Sequence, residues 1–146
     1  MRAAKEKTRL EVICTFAFEK TKQDEFRTMM GVGPADIVEP LVDAGADIIG
    51  ANCGNGMERM IEIVRELRAV NKNIPILINA NAGLPVVKDT TFVYPETPEQ
   101  MASFLPGIIA AGVNIIGGCC GTALEHIAAM VRKVKGSGSP VLAPQT

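Results

Sequence analysis

Three of the four cysteines stand in glycine-containing segments where their thiols could act together. Cys119 and Cys120 are adjacent and have glycines on both sides, and Cys53 precedes a Gly-Asn-Gly segment. Adjacent cysteines rarely form a disulfide with each other, because the ring is strained. Zinc binds thiolates readily, and a catalytic zinc has three protein ligands and one open position. The pattern indicates a zinc site, although a lone Cys-Cys pair also serves as a small apolar filler at a tight turn.

An internal repeat connects the two segments. Residues 44–54 and 111–121 share Ala, Gly, Ile, Ile, Gly, Cys and Gly at equivalent positions, and the repeat aligns Cys53 with Cys120. The two copies lie two β–α units apart, and in a (β/α)8 barrel alternate strands send side chains into the same layer. Cys119 can join them only if the chain bends sharply, which the nearby glycines permit. Cys14 lies within an apolar strand and is expected in the core.

The elements that would position these residues are four strands alternating with four helices. Apolar runs and helical periodicity predict strands at 10–18, 46–53, 74–79 and 113–117 and helices at 34–44, 57–70, 98–111 and 122–134. Thr97 is expected to cap the third helix and Pro106 to kink it, while Thr122 and Glu125 have capping-box spacing. The alternation predicts a parallel α/β sheet, and the repeat favours half of a barrel over an open doubly wound sheet.

Composition limits the classes of function. The 146 residues carry a formal net charge of -1, which argues against a nucleic-acid partner. No apolar run approaches the roughly 18 residues of a membrane span, and residues 1–9 lack the pattern of a signal peptide. We therefore expect a cytoplasmic protein with reduced thiols. A half-barrel is expected over residues 1–135 and a flexible tail over residues 136–146.

Four segments resemble the homocysteine S-methyltransferase family, particularly the homocysteine-binding domain of cobalamin-dependent methionine synthase. They are Gly-Ala-Asn-Cys-Gly-Asn-Gly at 50–56, Asn-Ala-Asn-Ala-Gly-Leu-Pro at 79–85, Tyr-Pro-Glu-Thr-Pro at 94–98 and Gly-Gly-Cys-Cys-Gly-Thr at 117–122. The resemblance covers residues 10 to 134. It implies a TIM (β/α)8 barrel of which this chain holds the C-terminal four strands, with zinc bound by Cys53, Cys119 and Cys120.

The same resemblance implies the chemistry. Homocysteine would supply the fourth zinc ligand through its sulfur, and its thiolate would attack a methyl group from methylcobalamin, on a corrinoid-binding domain or protein, or from another donor, to form methionine. Half of the substrate pocket must then come from elsewhere: a complementary N-terminal half-barrel, a second copy of the chain, or the rest of a longer gene product. Two alternatives stay open, a methyltransferase for another small thiol and a non-catalytic zinc-binding subunit with an assembly role.

Other residues are weighed beside the cysteines. Asn81 is a candidate substrate contact, a ligand for the open zinc position when substrate is absent, or a turn-forming asparagine. Asn52 is a candidate substrate contact that more simply orders its loop. Tyr94 and Glu96 belong to a long loop for which three alternatives stay open: it covers the substrate, it meets the cobalamin partner, or it is solvated. His126 is expected on the surface. A solvated helix face is expected from four charged residues, Glu62, Arg65, Glu66 and Arg68.

Overall fold

A four-stranded parallel sheet forms the centre of the computed structural model, which describes residues 1–136. In chain order the elements are α1 (Arg2–Lys7), β1 (Ile13–Phe16), β2 (Glu19–Lys20), β3 (Phe26–Arg27), α2 (Pro34–Asp43), β4 (Ile48–Gly56), α3 (Met57–Val70), β5 (Ile76–Asn81), β6 (Val86–Lys88), β7 (Thr91–Val93), α4 (Pro98–Ser103), α5 (Leu105–Ala110), β8 (Ile115–Gly118) and α6 (Leu124–Gly136). The predicted tail lies outside the described residues from residue 137 onwards.

The strand order of the sheet is β1-β4-β5-β8, so the strands are neighbours in the order in which the chain makes them. All three pairings are parallel. A doubly wound sheet instead reverses its strand order at a switch point. This arrangement, with helices between successive strands, confirms the predicted α/β fold, a (β/α)4 half of a barrel.

One face of the sheet packs against the helices and forms the core. Ile49, Ile76 and Ile78 are completely buried there, and α3 contributes a fully buried stripe of Met57, Met60, Ile63, Val64 and Leu67. Burying one such side chain stabilises the fold by about 1.5–3 kcal/mol. Cys14 packs against this core, as expected.

The opposite face, here called the open face, is the one that would line the interior of a complete barrel. The alternation of side chains along each strand places five residues on the open face: Ile13, Thr15, Asn52, Asn79 and Ile115. Ile13 is 51% and Ile115 40% exposed, and the three polar side chains are half-buried. The outer strands β1 and β8 each have one edge that no other described strand pairs with. The described residues thus leave an apolar sheet face and two strand edges uncovered.

Several local predictions differ from the structure. The helix predicted at 98–111 is two helices, because Pro106 has no N–H to continue the ladder and the chain turns at Phe104. Thr97 caps the first of them, with Gln100 completing the capping box. The long loop contains the hairpin β6–β7, whose turn uses positive φ angles at Asp89 and Thr90.

The sequence predicted Arg68 on a solvated helix face, and for this residue the prediction is wrong. Its guanidinium donates hydrogen bonds to the carbonyls of Asn71, Ile74 and Gly112 and to Oδ1 of Asn114. Asn114 Oδ1 also accepts from the backbone N–H of Ile76. Arg68 therefore ties the N-terminal ends of β5 and β8 together. Within residues 1–136 no helix is long and apolar enough to cross a membrane.

Candidate metal centre

The three cysteines selected from the sequence meet at the C-terminal edge of the sheet. Their sulfur atoms all lie within 4.8 Å of one another, and all three residues are half-buried. Cys53 Sγ is 3.6 Å from Cys120 Sγ, which is 3.9 Å from Cys119 Sγ. Tetrahedral zinc with bonds of about 2.3 Å to sulfur requires ligand sulfurs about 3.8 Å apart. The donor set and its spacing fit a zinc ion held by Cys53, Cys119 and Cys120.

Cys53 reaches the site because β4 is irregular at its end. Its φ is +57°, an uncommon value for a residue with a side chain, and Gly54 follows with φ +72°. The register of β4 against β5 shifts between Asn52 and Gly56. A Cβ on Gly54 would lie 2.7 Å from the carbonyl oxygen of Phe18, so the residue after the ligand has no room for a side chain.

Cys119 and Cys120 are presented by a tight turn after β8. The carbonyl of Cys119 accepts hydrogen bonds from the backbone N–H of Thr122 at 3.2 Å and from its hydroxyl at 2.7 Å. Thr122 therefore closes this turn, and its predicted role in a capping box is wrong, since α6 begins at Leu124. Gly121 supplies the bend, with φ +78°.

Gly117 and Gly118, which precede the cysteines, are needed for space rather than for backbone flexibility. Neither Gly117 nor Gly118 has a positive φ. A Cβ on Gly117 would overlap Oδ1 of Asn79, and one on Gly118 would overlap the side chain of Thr122. The glycines leave room for these two polar side chains beside the turn.

Asn81 links the two cysteine-bearing segments. Its side chain is 2% exposed, and Oδ1 accepts the backbone N–H of Cys120 at 3.1 Å. The Asn81 side chain also helps to lower the pKa of the Cys53 thiol, which favours the thiolate. Asn81 is the last residue of β5, so the turn-forming interpretation is wrong and its contacts are with the cysteines.

Asn52 lies on the open face, one residue before Cys53. Its Oδ1 accepts a hydrogen bond of 2.7 Å from the hydroxyl of Thr15 on the neighbouring strand. This bond orients the amide within the layer that would face a barrel interior. Its role as a substrate contact stays a prediction.

The thiols differ in acidity even before a metal binds. Burial alone would raise the pKa of Cys53, but hydrogen bonds from the Gly54 N–H, Cys120, Cys119 and Asn81 lower it overall. Burial raises the pKa of Cys119 to about 11; the backbone N–H of Cys120 opposes this rise, while the Cys120 thiol and the charge of Cys53 add to it. One thiolate in the cluster thus disfavours a second. A bound dication would instead favour ionisation of all three thiols, so its binding would release protons.

The long loop after β5 returns to the cysteines, so it is not solvated throughout. Tyr94 and Glu96 are half-buried, although Phe92 in the same loop is 71% exposed. Glu96 Oε2 is buried with no hydrogen-bond partner among the described residues, and burial, then the charge of Glu58, raises the pKa of this carboxyl despite an opposing contribution from His126.

His126 is buried, and its predicted surface position is wrong. Its Nδ1 accepts the backbone N–H of Ala123 at 3.1 Å, so Nε2 carries the proton and donates to the carbonyl of Glu96 at 3.0 Å. Sequence reasoning did not predict that His126 connects the loop to α6. The one feature that could have indicated a role is that the sequence has a single histidine, four residues after the Gly-Gly-Cys-Cys-Gly-Thr motif.

Comparisons with known proteins agree with this geometry. The family model described as homocysteine S-methyltransferase matches residues 1–134. Methionine synthase of Mycobacterium leprae (strain TN) is 44% identical over 91 residues, which make up 62% of this chain and 7% of that protein. Methionine synthase of Mycobacterium tuberculosis (strain ATCC 25618 / H37Rv) is 43% identical over 102 residues, 67% of this chain and 8% of that protein. The chain thus spans less than a tenth of these relatives.

A solved structure has the same fold. The homocysteine methyltransferase MmuM from Escherichia coli, in its apo form, superposes with a TM-score of 0.66 at 24% sequence identity. The match covers 89% of this chain and 42% of that chain. The described strands and helices therefore correspond to less than half of a larger fold.

Proposed function

Because this chain belongs to the homocysteine S-methyltransferase family, we propose that it is the zinc-binding half of a homocysteine S-methyltransferase. In this proposal residues 1–135 form the C-terminal half-barrel and Cys53, Cys119 and Cys120 bind zinc. The observation that carries it is the triangle of sulfur atoms within 4.8 Å. A reducing compartment such as the cytoplasm would keep the three thiols free for the metal.

The chain's own residues would hold and orient the reacting groups. Three cysteines leave one position of a tetrahedral site for the sulfur of homocysteine. Bound zinc would lower the pKa of that thiol, so that the thiolate exists at neutral pH. Asn81 holds the Cys120 turn through its backbone N–H and helps to lower the pKa of the Cys53 thiol. Asn52 and Asn81 are proposed to contact the substrate, since both stand beside the ligands.

The remaining half of the pocket is proposed to come from a complementary N-terminal half-barrel. The open face exposes Ile13 and Ile115, and a barrel partner would cover both this face and the free edges of β1 and β8. A second copy of the chain is the alternative partner. Light scattering on the purified chain separates the two, because a monomer without a partner contradicts self-completion.

The methyl donor is proposed to be methylcobalamin on a corrinoid-binding domain or protein. The resemblance of residues 79–98 to the homocysteine domain of methionine synthase supports this choice, as do the two relatives named methionine synthase. Another methyl donor, or another small thiol such as methanethiol, would use the same metal-binding residues. Donor and thiol competition assays on the complete enzyme distinguish these cases.

Methyl transfer measured with the chain and a complementary half tests the proposal. Homocysteine and methylcobalamin should yield methionine, and Cys53→Ser should reduce the rate at least a hundredfold because it removes a ligand. Cys14→Ser is the matched control, since Cys14 lies outside the cluster, and should retain activity. Zinc binding without any methyl transfer by the complete assembly would instead support a non-catalytic, structural subunit.

A further inference from the structure

One side of α6 is apolar and exposed. Leu124, Ile127 and Val131 are 84%, 40% and 38% exposed, and their spacing of three and four residues places them on one side of the helix. Lys135 continues this side in the last turn and is exposed as well. The helix is buried on its other side, through His126, Ala129 and Met130. These four exposed residues, here called the α6 stripe, have the pattern of a helix face that packs against a neighbour.

An apolar groove of about 800 Å³ lies beside α2, at the other end of the half-barrel. Its apolar walls come from β1, from the loop before α2 and from α2 itself: Phe16, Met29, Met30, Ile37, Pro40 and Leu41. Met29 is 96% exposed. The short helix α1 lies elsewhere, because its Lys5 pairs with Asp47 at the N-terminal edge of the sheet. This α2 groove is therefore open to a partner.

The α2 groove and the α6 stripe carry opposite charges at matching positions. Asp36 and Pro40 line the groove, and Asp43 lies on the same side of α2, seven and three residues later. Asp43 ends α2, as Lys135 stands in the last turn of α6. Neither has an ion-pair partner among residues 1–136. Both helices begin at the C-terminal edge of the sheet, so these two charges lie at similar heights.

A two-fold rotation about the barrel axis would bring the stripe to the groove. It places β8 of one copy beside β1 of the other, parallel like every pairing in the four-stranded sheet. Within the chain α2 packs against α3, the helix of the next unit. By the same rule α6 of one copy would pack against α2 of the other, with Leu124 beside the Met29 loop and Lys135 level with Asp43. A two-fold dimer contains this contact twice.

We propose that two copies of this chain associate through the α6 stripe of each copy and the α2 groove of the other. The inference rests on the proposed half-barrel and gives the chain a self-associated state in the absence of a complementary N-terminal half, which would use the same surfaces. The apolar contacts supply the affinity, since exposed ion pairs contribute little. The pairing of Asp43 with Lys135 selects which helix sides meet.

Sedimentation velocity of the full chain at low ionic strength tests the inference, and wild type should sediment as a dimer. Asp43→Lys and Lys135→Glu, each alone, place like charges in both contacts and should raise the dimer dissociation constant about tenfold or more. An equimolar mixture should restore the dimer, because one contact keeps the native charges and the other has them exchanged. Lys133→Glu is the matched control and should change nothing, since Lys133 lies on the α4 side of α6 beside Glu99.

Zinc titration of the same samples separates this inference from the proposed function. A wild-type chain that binds zinc but sediments as a monomer at every concentration would overturn the inference and leave the metal site standing. A dimer that neither single variant weakens, or that the mixture does not restore, would also overturn it, because the copies would then meet through another surface. A dimer with the expected charge dependence but no zinc binding would support the inference while the proposed function fails.

Discussion

Replacing Asn81 with leucine should damage the candidate metal centre more than its small change in volume suggests. Leucine has nearly the shape of asparagine but neither its amide oxygen nor its amide nitrogen. Asn81 is 2% exposed, so water cannot easily replace the lost groups. The Cys120 N–H, now bound to Oδ1 at 3.1 Å, would lose its acceptor.

The expected magnitude has two parts. A buried N–H without an acceptor costs about 1–3 kcal/mol of folding free energy. The ligand turn at Cys120 and the Cys53 thiol also lose the side chain that positions the first and lowers the pKa of the second, which we expect to weaken zinc binding about 10- to 100-fold. That range corresponds to about 1.4–2.8 kcal/mol of binding free energy.

Urea denaturation of the metal-free chain measures the first part, and zinc competition with a chromophoric chelator measures the second. Asn79→Leu is the matched control, since Asn79 lies two residues earlier on the same strand face and sits against Gly117 rather than the cysteines. It should change zinc affinity less than threefold. If Asn81→Leu matches wild type in both assays, Asn81 does not position the ligands and the reasoning is refuted.

Three further perturbations address the scaffold. Arg68→Leu should lower the free energy of unfolding by about 2 kcal/mol, because four hydrogen bonds are lost; equal urea midpoints for Arg68→Leu and the exposed-site control Arg65→Leu would contradict this. Glu96→Gln should stabilise the chain at neutral pH, since a carboxyl whose folded pKa is raised destabilises the fold once ionised; the gain should vanish as pH falls below its unfolded pKa, and a gain independent of pH would exclude this cause. Ile115→Glu should leave the isolated chain within about 0.5 kcal/mol of wild type but abolish binding to a complementary half-barrel, and an unchanged complex would show that the open face is not the interface.

The features that could be predicted from the sequence are those that follow from hydrophobic periodicity or from the internal repeat. Helical spacing predicted Met57–Val70 with both ends correct, because one face of α3 is uniformly apolar. The internal repeat brought Cys53 and Cys120 to equivalent strand ends, where the structure places them 3.6 Å apart. Parallel pairing of the strands follows from the alternation of strands and helices, and their chain order follows from the repeat, which favoured a half-barrel over a doubly wound sheet.

Features that depend on contacts between distant residues were not predictable from local patterns. The need for glycine at 117 comes from the Asn79 side chain on the neighbouring strand, which no local propensity encodes. His126 reads as an ordinary helix residue until the loop carbonyl of Glu96 is beside it. Thr122 and Glu125 fit a capping box in spacing, but the Thr122 hydroxyl bonds to Cys119 instead.

X-ray absorption at the zinc edge tests the central claim most directly. We expect the zinc-loaded chain with its complementary half to have three sulfur neighbours at about 2.3 Å and one lighter ligand. Homocysteine should replace that ligand and raise the count to four sulfurs, while the Cys14→Ser control behaves identically. Fewer than three sulfurs without substrate, or a coordination shell that homocysteine leaves unchanged, would contradict the assignment of a thiol-activating zinc site.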